Sequence, residues 1–221
     1  MATTSTVNSA VTIDVAPAPR WWLVAVVGIG LIAGAHLLDE WVWTHVRDAR
    51  VYERDWGRML RSAGYLPTWL IVAIGLWGQD RGRARWGWRG GLMILTPTIG
   101  GALAELLKLV VRRLRPPDVT SVFTYAFRPF SERSWSTAGL GMPSSHMLVA
   151  MGAATVLARL FPRVWWLWYL IAAGCGYTRL LANAHYLSDV VAAAVLGWVV
   201  GNLANQRSKM AKMGTGSSNA V

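Results

Sequence analysis

Six stretches of the chain are apolar over lengths approaching a bilayer crossing, and polar, arginine-rich segments separate them. They cover residues 21–38, 65–78, 91–111, 143–161, 164–181 and 186–204. A helix needs about 20 predominantly apolar residues to cross the hydrocarbon layer. The pattern therefore predicts six spanning helices, the second of them short, with Pro67 in a first turn that tolerates it. The first run competes with a secretory leader, because Ala33-Gly34-Ala35 resembles a cleavage site. Arg20 is its one preceding positive charge, a poor leader signal, so it is read as a retained span.

Between the first two runs, residues 39–61 break the apolar pattern. Arg47, Arg50, Arg54, Arg58 and Arg61 recur every three or four residues. On a helix they form a stripe ~80° wide, with Val46, Trp56, Met59 and Leu60 on other faces. This predicts an amphipathic helix lying in the membrane interface, its stripe meeting headgroups or the nearby acids Asp48, Glu53 and Asp55. The expected fold class is all-α: a polytopic membrane protein with six transmembrane helices and an interfacial amphipathic helix between the first two. Residues 1–20 read as a disordered tail, 21–205 as one six-helix membrane domain and 206–221 as a flexible C-terminal tail.

Composition supports this. Of 221 residues, 54% are hydrophobic and only 15% charged, and there are 14 tryptophans, a membrane composition rather than that of a soluble domain. Trp165, Trp166, Trp168 and Tyr169 form an interfacial belt at the start of the fifth run. The net charge of +11 could point to nucleic acid. The basic residues, however, lie between spans, which fits an anionic partner at a membrane face better. One cysteine, Cys175, excludes an intrachain disulfide and a multi-cysteine metal site.

Alternating spans bring three polar clusters to one membrane face. Lys108 and Arg115-Pro116 close the third span, Pro143-Ser144-Ser145-His146 opens the fourth, and Thr178-Arg179, His185 and Asp189 bridge the fifth and sixth. Lysine and arginine supply fixed charge and several donors for a phosphoryl group. A Pro-Ser-Ser helix start offers free N–H groups and the positive end of a dipole. A neutral imidazole attacks phosphorus when its other ring nitrogen is held as N–H, and an aspartate one turn on provides that. A second histidine donates to the leaving oxygen. His185 with Asp189 suits the first task and His146 the second.

These clusters resemble the three signature motifs of the type 2 phosphatidic acid phosphatase superfamily, the lipid phosphate phosphatases, in a bacterial membrane-integrated form. The family pattern is Lys-x6-Arg-Pro, Pro-Ser-Gly-His and Ser-Arg-x5-His-x3-Asp. Order, spacing and placement at span ends all match, with Ser145 in place of the glycine and Thr178 in place of the serine. The resemblance implies a phosphohistidine on His185, oriented by Asp189, with His146 as general acid. It implies that Lys108, Arg115, Ser144, Ser145 and Arg179 hold the phosphate oxygens, with no metal and no other cofactor.

The sequence thus points to a lipid phosphate or pyrophosphate phosphatase of the cell membrane, its site facing the periplasm or exterior. Candidate substrates are phosphatidic acid, phosphatidylglycerol phosphate, undecaprenyl pyrophosphate and a lipid A phosphate. The alternatives are a phosphotransferase of the same fold and a non-enzymatic protein that binds or transports anionic lipid. Outside the motifs, His36 and His45 read as core or interfacial residues, Glu105 as an ion-pair partner of Lys108, and Arg112 and Arg113 as interface anchors. Arg128 and Arg133 are candidate headgroup contacts.

Overall fold

The computed structural model describes residues 19–82, 87–117, 122–132 and 135–216, with side chains to residue 206. Among these it is helical without a strand. The helices are α1 (Trp21–His45), α2 (Asp55–Ser62), α3 (Leu66–Gln79), α4 (Trp88–Val111), α5 (Ser145–Leu160), α6 (Trp165–Leu181) and α7 (Leu187–Gly216). A single 3-10 turn, Pro162–Val164, joins α5 to α6. The tail predicted at the N-terminus lies almost wholly outside the described residues. At the other end, α7 runs past residue 204, where the apolar pattern stops.

Among the described residues, three helices are long and apolar enough to cross a membrane: Trp21–His45, Trp88–Val111 and Leu187–Gln206. A fourth candidate is α2 with α3, bent by 66° where they meet. The expected six is therefore three or four by length and apolarity. The physical reason lies in α5 and α6, of 16 and 17 residues. Eleven residues of α5, including Leu148, Ala153 and Val156, are buried against other helices, so α5 forms the centre of the bundle. Gly197 and Gly201 of α7 let the two backbones meet, since a Cβ there would come within 2.7 Å of Leu148 O and 2.5 Å of Thr155 Cβ. Helix α1 instead exposes Val26, Ile29 and Leu37, an apolar outer face suited to lipid.

The interfacial helix expected over residues 39–61 is not what forms. Helix α1 continues through Trp41, Val42 and Trp43 to His45, because Asp39 is buried inside the bundle rather than ending the span. The chain then turns, with Arg50 N–H donating to Asp48 Oδ1 (3.0 Å) and Asp48 N–H to Leu181 O (2.9 Å), a local aspartate turn. Only α2 is helical thereafter. The arginine stripe is dispersed: Arg47 stacks on Trp43 (4.3 Å), Arg54 pairs with Asp48 (3.3 Å), and Arg58 with Asp55 (2.6 Å).

The C-terminal ends of α1, α4 and α6 meet the N-terminal ends of α5 and α7. Over them folds the α4–α5 connection, pinned by isolated antiparallel bridges Arg113–Phe127 and Leu114–Leu140. At the opposite end Arg89 pairs with Asp80 (3.0 Å), and Arg159 donates to Asn202 (2.8 Å).

Candidate active site

The three sequence clusters converge at this end of the bundle. Lys108, in the last turn of α4, donates from Nζ to Glu105 Oε1 (2.8 Å) and to the Ser145 hydroxyl, which in turn donates to Glu105. Ser144 precedes α5 in an extended conformation, so the first N–H groups of that helix have no intrahelical acceptor. Its own N–H donates to Asp189 O (3.2 Å), tying the start of α5 to that of α7. Arg179 lies in the last turn of α6, and its carbonyl accepts from Ala184 N–H (3.0 Å) across a turn with Asn183 at φ 50°, a left-handed position asparagine tolerates.

His185 is buried, its Nδ1 3.6 Å from Asp189 Oδ2, beyond hydrogen-bond distance. Burial pushes the His185 pKa below the ordinary histidine value, and the Asp189 carboxylate opposes that shift. With Nδ1 turned to Asp189, Nε2 is the ring atom left for chemistry. His146 packs edge-on to Tyr65 (5.0 Å), and the cations acting on it are Arg179, Arg61 and Lys108.

Four buried polar atoms of this cluster have no hydrogen-bond partner: Ser144 Oγ, His146 Nε2, Arg179 Nε and His185 Nδ1. Each such orphan costs about 1–3 kcal/mol. Phosphate oxygens are acceptors that would satisfy the donors among them. Arg115 is the exposed member of the predicted set and stands at the rim, its N–H bonded to Gly139 O (3.0 Å).

Both departures from the family motifs have a local explanation. The Ser145 hydroxyl is engaged by Lys108 and Glu105, which leaves its backbone N–H as the donor free for a ligand. Thr178 turns its hydroxyl to Cys175 O (2.8 Å) within its own helix.

The sequence reading missed the support beneath Asp189. Arg113, taken there as an interface anchor, is 2% exposed. Its Nη2 donates to Asp189 Oδ1 and to Ser188 Oγ (2.8 Å), and its Nη1 lies 3.2 Å from His36 Nε2. The other His36 nitrogen, Nδ1, is 2.9 Å from Ile32 O. Nδ1 therefore carries the proton, and Nε2 accepts from Arg113. Tyr186 N–H supplies Asp189 Oδ2 with a bond of 2.9 Å. Asp39 of α1 accepts from Ser188 N–H (2.8 Å), Ser188 Oγ and Tyr125 OH (2.7 Å). Burial and the Asp39 carboxylate push the Tyr125 pKa up, keeping it a donor. A Cβ at Gly141 would stand 3.0 Å from Asp189 Oδ2, so glycine there lets the loop close over the carboxylate. The only sequence signal for Arg113 was a charge amid apolar residues at a span end.

Other candidates fall outside the cluster. Arg112 donates to Glu132 O (2.7 Å) and lies 4.8 Å over Phe130. Arg128 donates to the Ser136 and Ala138 carbonyls, so it holds the loop rather than a headgroup. Arg133 lies outside the described residues. His45 is stacked on Trp41 (4.9 Å) in the last turn of α1.

A helical membrane protein that gathers two histidines, a braced carboxylate and several cations around a helix N-terminus belongs to the enzymes that act on phosphate groups. Residues 89–212 match the PAP2 superfamily model, and the chain belongs to that superfamily. It is 31% identical over 196 residues to the lipid A 1-phosphatase of Rhizobium etli, covering 82% of each protein. It is 34% identical over 110 residues to that of Rhizobium johnstonii, covering 50% of this chain and 44% of that protein. Among solved structures, the transmembrane PAP2-type phosphatidylglycerolphosphate phosphatase of Bacillus subtilis shares the fold. Its TM-score is 0.61 at 20% identity, over 86% of this chain and 96% of that chain. The chain is a multi-pass membrane phosphatase of the lipid phosphatase family.

Proposed function

We propose that the protein removes the terminal phosphate of a membrane lipid phosphate or diphosphate through a phosphohistidine on His185, and that the lipid is of the lipid A type. The relatives named above support the lipid. The buried donors of Ser144, His146 and Arg179, gathered beside a buried His185, support the mechanism and are the observation that carries it.

In the first step His185 Nε2 bonds to phosphorus as the P–O bond to the lipid breaks. His146 gives its proton to the leaving oxygen. Lys108, Arg115, Arg179, Ser144 Oγ and the first N–H groups of α5, including that of Ser145, stabilise the charge on the equatorial oxygens. In the second step water attacks phosphorus, His146 takes its proton, the N–P bond breaks, and inorganic phosphate leaves. Asp189 holds the His185 ring and offsets its charge when phosphorylated. Arg113 holds Asp189. Fixed side-chain cations supply the electrostatic stabilisation, so no metal is needed.

The same reading takes all of α1, the bent α2–α3 pair, and α4 to α7 as six crossings within residues 21–205. In it α2 lies at the interface on the site side. Both termini are cytoplasmic, and the site opens to the exterior of a bacterial inner membrane, reached by the lipid between helices.

A phosphate-release panel over lipid A, phosphatidic acid, phosphatidylglycerol phosphate and undecaprenyl pyrophosphate tests this, with His185→Ala as the blank. The variant is expected to fold and release no phosphate; undiminished turnover ends the mechanism. Chelator is expected to leave activity intact and vanadate to inhibit, and strong chelator sensitivity contradicts the metal-free step.

A further inference from the structure

Arg61 belongs to none of the three motifs, and the mechanism above leaves it unused. It lies in the last turn of α2, with its guanidinium 4.4 Å over the Tyr52 ring and 5.4 Å from that of Tyr65. Its Nε is buried without a hydrogen bond, and no carboxylate among the described residues pairs with it. A guanidinium held only by two aromatic faces keeps its N–H donors for another acceptor.

The two tyrosines locate that acceptor. Tyr52 OH accepts from Arg179 Nη1 (2.7 Å) and donates to Thr178 O (3.1 Å). Tyr65 is the ring against His146. Cys175 Sγ lies 3.9 Å from both Arg61 O and His146 O, fastening α2 beside the start of α5. Each wall of the Arg61 cage is thus also a wall of the phosphate site, on the side occupied by His146. In the mechanism above His146 meets the leaving oxygen, so the group nearest Arg61 is carried by the departing half of the substrate.

We infer that Arg61, clamped by Tyr52 and Tyr65, binds an anionic group on the leaving half of the substrate and sets a preference for lipid diphosphates over the monophosphates of the same lipid. This rests on the role given to His146. With a diphosphate, His185 Nε2 bonds to the terminal phosphorus and the bridging P–O bond breaks. The bridging oxygen departs on a lipid monophosphate whose charge faces Arg61. Water then cleaves the N–P bond and releases inorganic phosphate.

The test uses the full chain in detergent micelles, with farnesyl diphosphate and farnesyl monophosphate as paired substrates and initial rates of phosphate release. Wild type is expected to favour the diphosphate in kcat/KM by roughly tenfold to hundredfold, the worth of one charge-assisted hydrogen bond. Arg61→Gln is expected to bring that ratio close to one, and Arg61→Lys to keep part of it. A ratio unchanged in Arg61→Gln, or equal loss on both substrates, overturns the inference and makes Arg61 a support for His146. A wild type that favours the monophosphate overturns it as well. Release from neither farnesyl lipid above the His185→Ala blank, with lipid A still hydrolysed, overturns the inference; no release from lipid A either removes the phosphatase mechanism itself.

Discussion

Asp189 is held from three directions, by Arg113 Nη2, by Tyr186 N–H and by the close Gly141 backbone. A carboxylate so fixed gives His185 a set orientation. Arg113→Lys keeps the charge but loses the two-pronged donor. It is expected to lower kcat about tenfold with little change in KM, measured by steady-state phosphate release. Arg113→Gln leaves a buried carboxylate short of its partner and is expected to cost about 3–5 kcal/mol of stability, read by thermal unfolding in detergent. Gly141→Ala forces its Cβ against Asp189 Oδ2 and is expected to reduce kcat while the protein still folds. The pH dependence follows from the His185 environment. Burial disfavours the imidazolium, so the lowered pKa keeps the ring neutral as pH falls. The acid limb of kcat/KM is therefore expected below the ordinary histidine value of about 6.5. A limb above about 7 contradicts this sign.

Helix α5 carries both the proposed phosphate cradle at its start and the packing centre along its length. Its position depends on α7, whose Gly197 and Gly201 admit Leu148 and Thr155 at backbone distance. Gly201→Val is expected to push the two helices apart and destabilise the protein by about 1–3 kcal/mol, again read by thermal unfolding. Activity should fall with it, because Ser144 and Asp189 are tied across the same pair of helices. Helix α1 is more than a lipid-facing anchor: its Asp39 and His36 reach Ser188 and Arg113 beneath the site. Apolar periodicity detects neither contact, since each needs residues about 75 to 150 positions apart.

Across the whole molecule, the site-side connection exposes Trp135 and Val122, while Cys175 is buried. A membrane-impermeant thiol reagent is therefore expected to label Trp135→Cys in intact cells and to leave wild type unlabelled. Labelling only after permeabilisation reverses the proposed orientation. The same end holds Lys108, Arg115, Arg179, Arg61 and Arg113 around the histidines, against the acids Glu105, Asp189 and Asp39. That excess of positive charge favours anionic substrates at the membrane surface, and salt is expected to weaken them.

The family, the helical class and the motif residues were legible in the sequence because each rests on local order: spacing along a helix, length of an apolar run, residues at span ends. The helix limits came close for α4, α5 and α6 for the same reason. What the tertiary structure decided was partnership. It turned Arg113 from an anchor into the brace of Asp189 and brought Asp39 inward. It engaged the Ser145 hydroxyl with Lys108 and Glu105 and broke the arginine stripe into a turn and a short helix. A side chain's charge is written in the chain, but the group that neutralises it is chosen by packing between elements far apart in sequence.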